Sequence, residues 1–391
     1  MDELHALPVV PAGASDVIAR SLLWVSAGAL AWTHAGYPLT AAALARLRPR
    51  PVRREDETPE VTIVVAAHDE EGVIARRLEN LLALDYPPER VEVVVASDGS
   101  TDGTDAAVEA VARQDARVRL LARPREGKVA AQDAAVARTE REIVAFSDAN
   151  TLWEPDALRT LVRSFADPDV AYVCGRLRLA DSGGTSREGV YWRYEMWLRE
   201  NESRLAGITG GNGAIYAVRR SDYVDGDPRF GHDLGFPYAM VQRGRRAVYD
   251  SDAVAVEKAP PASEDEYGRK ERMLAQCWLH LLSGRMLRSA EPLYVFQLVS
   301  HRVLRYSSGL LHLALLGSSA ALAREGGVYR LALAGQLAFL GLAGAGKLRL
   351  PLPGAALAWY YLLVTAATVS GLLRLLRSGV PTVWEKAEGT R

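Results

Sequence analysis

Two apolar runs in this chain pass directly into a carboxylate and a polar turn: VEVVVASDGSTDGT reaches Asp98 and EIVAFSDAN reaches Asp148. An apolar run closed by Asp, Gly, Ser or Asn reads as a buried parallel strand whose carboxyl end opens into a loop. Ligands of open α/β sheets bind beyond those carboxyl ends. Two carboxylates on that edge can hold the parts of a metal–nucleotide complex. The surrounding rhythm agrees. VTIVVAA, VEVVVAS, RVRLLAR and EIVAFSD read as strands, separated by helical stretches such as EEGVIARRLENLLAL, where Ile74, Leu78, Leu81 and Leu82 share a face. PDALRTLVRSFA opens a further helix at Pro155, and DVAYVCGRLRLA is a further strand. This alternation predicts an α/β domain with a doubly wound, mostly parallel sheet over residues 61–290.

Apolar segments flank that domain. Residues 17–45 are mostly apolar, preceded by acidic residues and followed by Arg46, Arg48, Arg50, Arg53 and Arg54. They are long enough to span a bilayer, and the positive-inside rule then places the α/β domain in the cytoplasm. A buried core helix is the other reading of the same segment. Residues 46–60 form the linker, and 1–16 an N-terminal tail. Residues 291–306 carry His301, Arg302 and Arg305, which suits an interfacial helix. Residues 307–374 hold about three further spans, near 307–323, 331–346 and 354–373, before a tail at 375–391. An odd total of C-terminal spans puts that tail outside, whereas Arg374 and Arg377 argue for inside. The expected location is thus a cell membrane, with several spans and the lipid bilayer as a partner.

Composition excludes several classes. Of 391 residues, 47 are basic and 48 acidic, so no global field draws the chain to nucleic acid. Cys174 and Cys277 stand alone, without metal-ligand spacing or a disulfide framework, which favours a reducing compartment. There is neither a GxxxxGK[ST] nor a G-x-G-x-x-G fingerprint.

Each remaining constellation has a plain and a functional reading. Asp98 in SDGSTDGT is a turn residue, or a group accepting from a ribose or base. Asp148 and Asn150 in SDAN cap a loop, or offer hard oxygen ligands to Mg²⁺ or Mn²⁺. Gly127–Lys128 stands between strand and helix, where an ammonium and a helix start can meet a diphosphate. In TGGNGAIYAVRR, Gly211, Asn212 and Gly213 make a tight turn or allow a sugar close to the backbone. Asp233 begins a helix, as an N-cap or as a general base. Arg269, Lys270 and Arg272 bind phosphate, or mark the cytoplasmic side.

Taken in order, AHDEE, SDGSTDGT, GK, FSDAN, YWRYE…ES…TGGNGAIYAVRR, HDL and RKER resemble glycosyltransferase family 2. The similarity is greatest to the membrane-bound branch of cellulose, hyaluronan and poly-N-acetylglucosamine synthases. The resemblance implies a GT-A fold, a nucleotide-sugar donor (usually a UDP-sugar) and a glycan or lipid-linked acceptor. It gives Ala67, Asp69, Glu70 and Asp98 to the uridine, Lys128 and Arg272 to the diphosphate, and Asp148 to the divalent metal. Asp233 matches the general base of inverting members. Gly211, Asn212, Gly213 and His232 fall on the acceptor side. The chain also departs from the pattern. Asp69 stands where Asn is common, Asn150 replaces a second metal-binding Asp, and His232 replaces the acid that usually precedes the base. Met273 stands where the acceptor-stacking Trp of Q-x-x-R-W belongs, leaving Trp278 as a substitute and processivity open. A polyprenyl-phosphate sugar transferase and a non-catalytic membrane scaffold are the alternatives.

Overall fold

The computed structural model describes residues 12–180, 187–258 and 263–381. The predicted strands form: β1 (Val61–Ala67), β2 (Val91–Asp98), β3 (Val118–Arg123), β4 (Ile143–Asp148) and, after the short β5 (Thr151–Trp153), β6 (Val170–Ala180). Two more, β7 (Tyr216–Arg219) and β8 (Arg246–Lys258), complete one sheet of order β3-β2-β1-β4-β7-β6-β8-β5. Strands β3, β2, β1 and β4 run parallel, whereas β7 is antiparallel to both its neighbours and β5 is antiparallel to β8. The chain steps outward from β1 through β2 to β3, then returns to place β4 on the other side of β1. That reversal opens a crevice at the carboxyl ends of β1 and β4, where Ala66 is in register with Asp148.

The sheet buries both faces, as its unbroken apolar runs require. Val61, Ile63 and Val65 face the helix Glu71–Leu82 through Ile74, Leu78 and Leu81. The opposite face carries Val64, Val94 and Phe146 against Ala131, Ala135 and Val136 of the helix Lys128–Val136. Gly127, at φ +103°, enters that helix in a conformation that favours glycine.

The flanking segments are helical. Residues 12–47 run as Ala12–Ala31 and Tyr37–Leu47, joined by a π-helical turn at Trp32–Gly36. Pro38, in the first turn of the second helix, has no N–H to donate backward, a common cause of such a turn. Val17, Ile18, Leu22, Trp24 and Val25 are exposed on the first helix. Residues 292–306 are also helical, with a π-helical stretch at Leu298–Val303, but their charges turn inward. His301 is buried, and Arg305 pairs with Glu195. Three apolar helices follow, Ser308–Ala321, Gly327–Lys347 and Ala355–Ser378. The last two are long and apolar enough to cross a bilayer, by length and composition, and the first is shorter.

The last helix lies antiparallel against the helix Ser263–Leu282. Trp278 Nε1 donates to the Thr368 carbonyl at 2.7 Å, and Tyr267 donates to Ser370 at 2.9 Å. Gly371 makes the approach close, because a Cβ there would lie 3.0 Å from the Ala275 nitrogen and the Glu271 carbonyl oxygen. Backbone atoms cannot yield as a flexible side chain would. Gly371→Leu should therefore lower the melting temperature of the purified protein by several degrees, corresponding to an overpacking cost of about 1–3 kcal/mol. An unchanged melting temperature would show that the two helices are not held in this contact.

Candidate functional site

Asp98 is almost completely buried at the end of β2. Its Oδ1 accepts the backbone N–H groups of Glu126 (2.7 Å) and Gly127 (3.0 Å). The carboxylate assigned to uridine on resemblance thus fixes the loop that leads to Lys128. From there the Lys128 ammonium reaches Asp148 at the end of β4 and forms an ion pair with Oδ1. Burial alone would lower the lysine. Asp148 outweighs it, with Asp233 and Glu257 adding to the pull, and the ammonium is held above its ordinary range.

The loop at 209–213 closes over this pair. A Cβ on Gly213 would lie 3.2 Å from Lys128 Nζ and 3.3 Å from Asp148 Oδ2, so any side chain there would compete with the ions. Gly211 donates its N–H to the Asp233 carbonyl at 2.6 Å and lies on the Tyr172 hydroxyl, leaving no room for a Cβ. Asn212 works differently from its two neighbours. Its side chain donates to the Gly175 carbonyl (2.8 Å) and accepts from Ala214 and Ile215 (both 3.1 Å), so it holds the turn. Asp233 stands in the first turn of the helix His232–Gln242, where the helix dipole favours a negative charge. His232 beside it is buried, with Nδ1 3.1 Å from the Tyr216 hydroxyl and its ring against Phe236.

Lys128, Asp148, Gly213, His232, Asp233 and Arg272 line one cavity of about 340 Å³. These six of the sequence-predicted residues meet at the cavity, while Asp98, Asn150, Gly211 and Asn212 stand behind its lining. Ala67 and Glu70 are buried at the end of β1 and beginning of the next helix, away from the cavity lining. Asp69, at φ +52°, accepts the Thr101 N–H at 2.8 Å, and that bond holds its carboxyl below the usual range. The extra charge at this position binds the β1 loop to the β2 loop. Trp278 is a correction. It lies buried among Leu274, Tyr294 and Tyr306 and bonds to the last helix, so it does not replace an acceptor-stacking tryptophan. Five residues along a helix rotate the side chain by about 140° from Met273, which lines the cavity.

Three contributors were not foreseen. Arg77 is fully buried and donates to Ser147 Oγ at 2.7 Å, next to Asp148, with its guanidinium 5.0 Å from the Trp153 ring centroid. Burial draws it down to about 9, against the opposing pull of Asp148. Its signal was present in the sequence, because it stands on the apolar stripe with Ile74, Leu78 and Leu81. Glu257, on β8, accepts from Asn150 Nδ2 at 3.0 Å, and burial followed by Asp148 pushes its carboxyl up. Arg374 of the last helix lines the cavity as well.

The oxygen donors here suit a hard divalent cation. Burial and the nearby Asp148 push the Glu257 carboxyl up, Asn150 is held by Glu257, and the Lys128 ammonium already answers the charge of Asp148. Among the described residues no three His, Cys, Asp or Glu side chains cluster as a preformed metal cage. The donor set therefore fits a cation carried by one or two carboxylates together with substrate phosphates.

Residues 62–226 match the family model of glycosyl transferase family 2. The beta-monoglucosyldiacylglycerol synthase of Synechocystis sp. is 30% identical over 219 residues, 52% of this chain and 46% of that protein. The N-acetylglucosaminyltransferase of Rhizobium meliloti is 27% identical, over 65% of this chain and 66% of that protein. The poly-beta-1,6-N-acetyl-D-glucosamine synthase of Staphylococcus aureus is 27% identical, over 52% and 51%. The chain spans about half the length of the first of these relatives. A mannosyltransferase from Pyrobaculum calidifontis, solved in complex with GDP-Man and Mn²⁺, shares the fold with a TM-score of 0.71 at 24% identity. The match covers 93% of this chain and 99% of that one. With the sheet order and the strand-end carboxylates, these matches show that residues 62–226 are similar to glycosyl transferase family 2 and lie on a GT-A-type fold.

Proposed function

We propose that the chain is an inverting glycosyltransferase that moves a sugar from a nucleotide-sugar donor, a UDP-sugar, to a glycan or lipid-linked acceptor in glycolipid or surface-polysaccharide synthesis. The observation that carries this reading is the meeting of Lys128, Asp148, Arg272 and Asp233 around one cavity. Cations on one side suit a leaving diphosphate. A carboxylate at a helix start suits an acceptor hydroxyl.

In this reading Lys128 and Arg272 hold the diphosphate and offset the charge that grows on it as the glycosidic C–O bond breaks. A divalent cation held by Asp148 with Asn150 would supply further Lewis-acid neutralisation of that charge. Asp233 accepts the proton of the acceptor hydroxyl, whose oxygen attacks the anomeric carbon from the face opposite the departing nucleotide. The new bond then has inverted configuration. Gly213 keeps the wall beside Asp148 thin enough for the sugar, and Gly211 fixes the backbone of Asp233. Membrane residence rests on the two long apolar helices and on the resemblance to membrane-bound synthases. The catalytic domain then faces the cytoplasm, beside a bilayer that holds the acceptor.

Asp233→Asn should lower sugar transfer by about 10²–10⁴-fold while nucleoside diphosphate affinity stays within a factor of two or so. Near-normal turnover would remove Asp233 from the role of base. Gly211→Ala must displace the Tyr172 hydroxyl and the backbone of Asp233, and its kcat should fall by about 10²-fold with little change in donor KM. A change confined to KM would place the loop on the donor side instead. Asp98→Asn puts a donor where two backbone donors already point, at a cost of about 1–3 kcal/mol. It should lower the melting temperature and weaken diphosphate binding together, through the loosened loop before Lys128. If it weakened nucleoside binding alone, with thermal stability unchanged, Asp98 would touch the base rather than the loop.

A further inference from the structure

The last apolar helix reaches the catalytic cavity. Arg374, Gly379, Val380 and Pro381 line it together with Lys128, Asp148, Asp233 and Arg272. The cavity therefore has walls of different origin, one from the carboxyl edge of the sheet and one from the helix Ser263–Leu282 with the last helix, which is long enough to cross a membrane. The approach that brings Arg374 there is built into the helix. Gly371, one turn earlier, removes the side chain that would hold the two helices apart, and Trp278 and Tyr267 bond across at Thr368 and Ser370.

The charges around the cavity are uneven. Lys128 already has one carboxylate partner in Asp148. Among the described residues, Arg374 has one hydrogen-bond and ion-pair partner, from Nη1 to Glu271 Oε2 at 3.4 Å, with the two side chains 32% and 25% exposed. A single contact of that length uses little of a guanidinium that carries five N–H donors. Arg272, on the facing helix, has no hydrogen-bond or ion-pair partner among the described residues. Two guanidinium groups with donors to spare, on one cavity wall, are suited to bidentate recognition of phosphate oxygens.

We propose that Arg374 and Arg272 form a phosphate-binding pair in which the last apolar helix supplies one of the two cations. This rests on the glycosyltransferase reading for the presence of a phosphate-bearing ligand and adds a residue and an element to it. Two ligands carry the required chemistry: the diphosphate of the donor, and the phosphate of a lipid acceptor lying at the membrane end of the same helix. In either case the site is complete only while the last helix is docked on the helix Ser263–Leu282. The helix that anchors the chain thereby becomes part of the binding site.

The test uses the full chain in detergent micelles, with Arg374→Gln, Arg374→Lys and, as a control on the same helix, the exposed Arg377→Gln. Each is titrated with UDP plus Mn²⁺, with uridine, and with dodecyl phosphate. Arg374→Gln should weaken one phosphate ligand by about tenfold or more, the loss expected for a charge-assisted hydrogen bond. Uridine affinity and the melting temperature should stay unchanged, Arg374→Lys should recover part of the loss, and Arg377→Gln should behave as the unsubstituted chain. A loss confined to UDP assigns the pair to the donor diphosphate, and a loss confined to dodecyl phosphate assigns it to a lipid phosphate. Unchanged affinity for both ligands overturns the proposal while leaving the glycosyltransferase reading intact. If the unsubstituted chain binds neither ligand, that reading falls and the proposal falls with it.

Discussion

The buried carboxylate of Glu202 is the constraint on which the arrangement turns. It is fully enclosed, and a buried charge must be matched or it costs several kcal/mol. Its partners come from three segments, two of them far away in the chain. Tyr37, from the N-terminal helices, donates at 2.6 Å, Thr209 donates at 2.9 Å, and His301 Nδ1 lies at 2.8 Å. Burial works against the charged form. His301, with Arg302 and Tyr37, overcomes it and holds the carboxyl below its usual range. One side chain thus ties the N-terminal helices and the helix preceding the apolar segments to the residue that opens the glycine loop.

From that tie the geometry of the site follows in steps. Thr209 starts the turn that Asn212 completes, and Gly211 passes its position to Asp233 by one short backbone bond. Arg302 reinforces the same point, donating from Nε to Thr209 Oγ1 at 2.9 Å. On the opposite side of the cavity, Asp98 sets Lys128 through the backbone of Gly127. The Lys128–Asp148 side of the cavity is therefore fixed by the sheet edge, and the Asp233 side by the packing of the flanking helices. Losing the second packing would loosen Asp233 without touching the Lys128–Asp148 pair.

Much of this was legible in the sequence, for physical reasons. The parallel strands β1, β2 and β4 announce themselves because both faces of each are buried, so that an unbroken apolar run has no other reading. The aspartates at their ends are visible for the same reason. The strand after the glycine cluster can be read from the sequence, but the edge strand β5 and the antiparallel insertion of β7 are not visible, because three or four residues carry neither a period nor a direction. The reach of Trp278 was misjudged because helical phase, and not distance along the chain, decides which face a side chain occupies. His301 and Arg302 looked like headgroup contacts, since a basic residue beside an apolar run does not reveal a buried acid about a hundred positions earlier. Arg77 was open to view on an apolar stripe. Arg374 could not be assigned from the sequence, because its place depends on two helices meeting at Gly371.

We propose that the cavity between the sheet edge and the glycine loop is where a sugar leaves a nucleotide. The most direct measurement is nucleoside diphosphate release by the purified full chain in lipid vesicles, across a panel of nucleotide sugars, with and without Mg²⁺ or Mn²⁺. One donor class should be consumed, with the divalent cation required and sugar appearing on a glycan or lipid. Across the whole panel, an absence of both diphosphate release and donor binding would contradict that proposal.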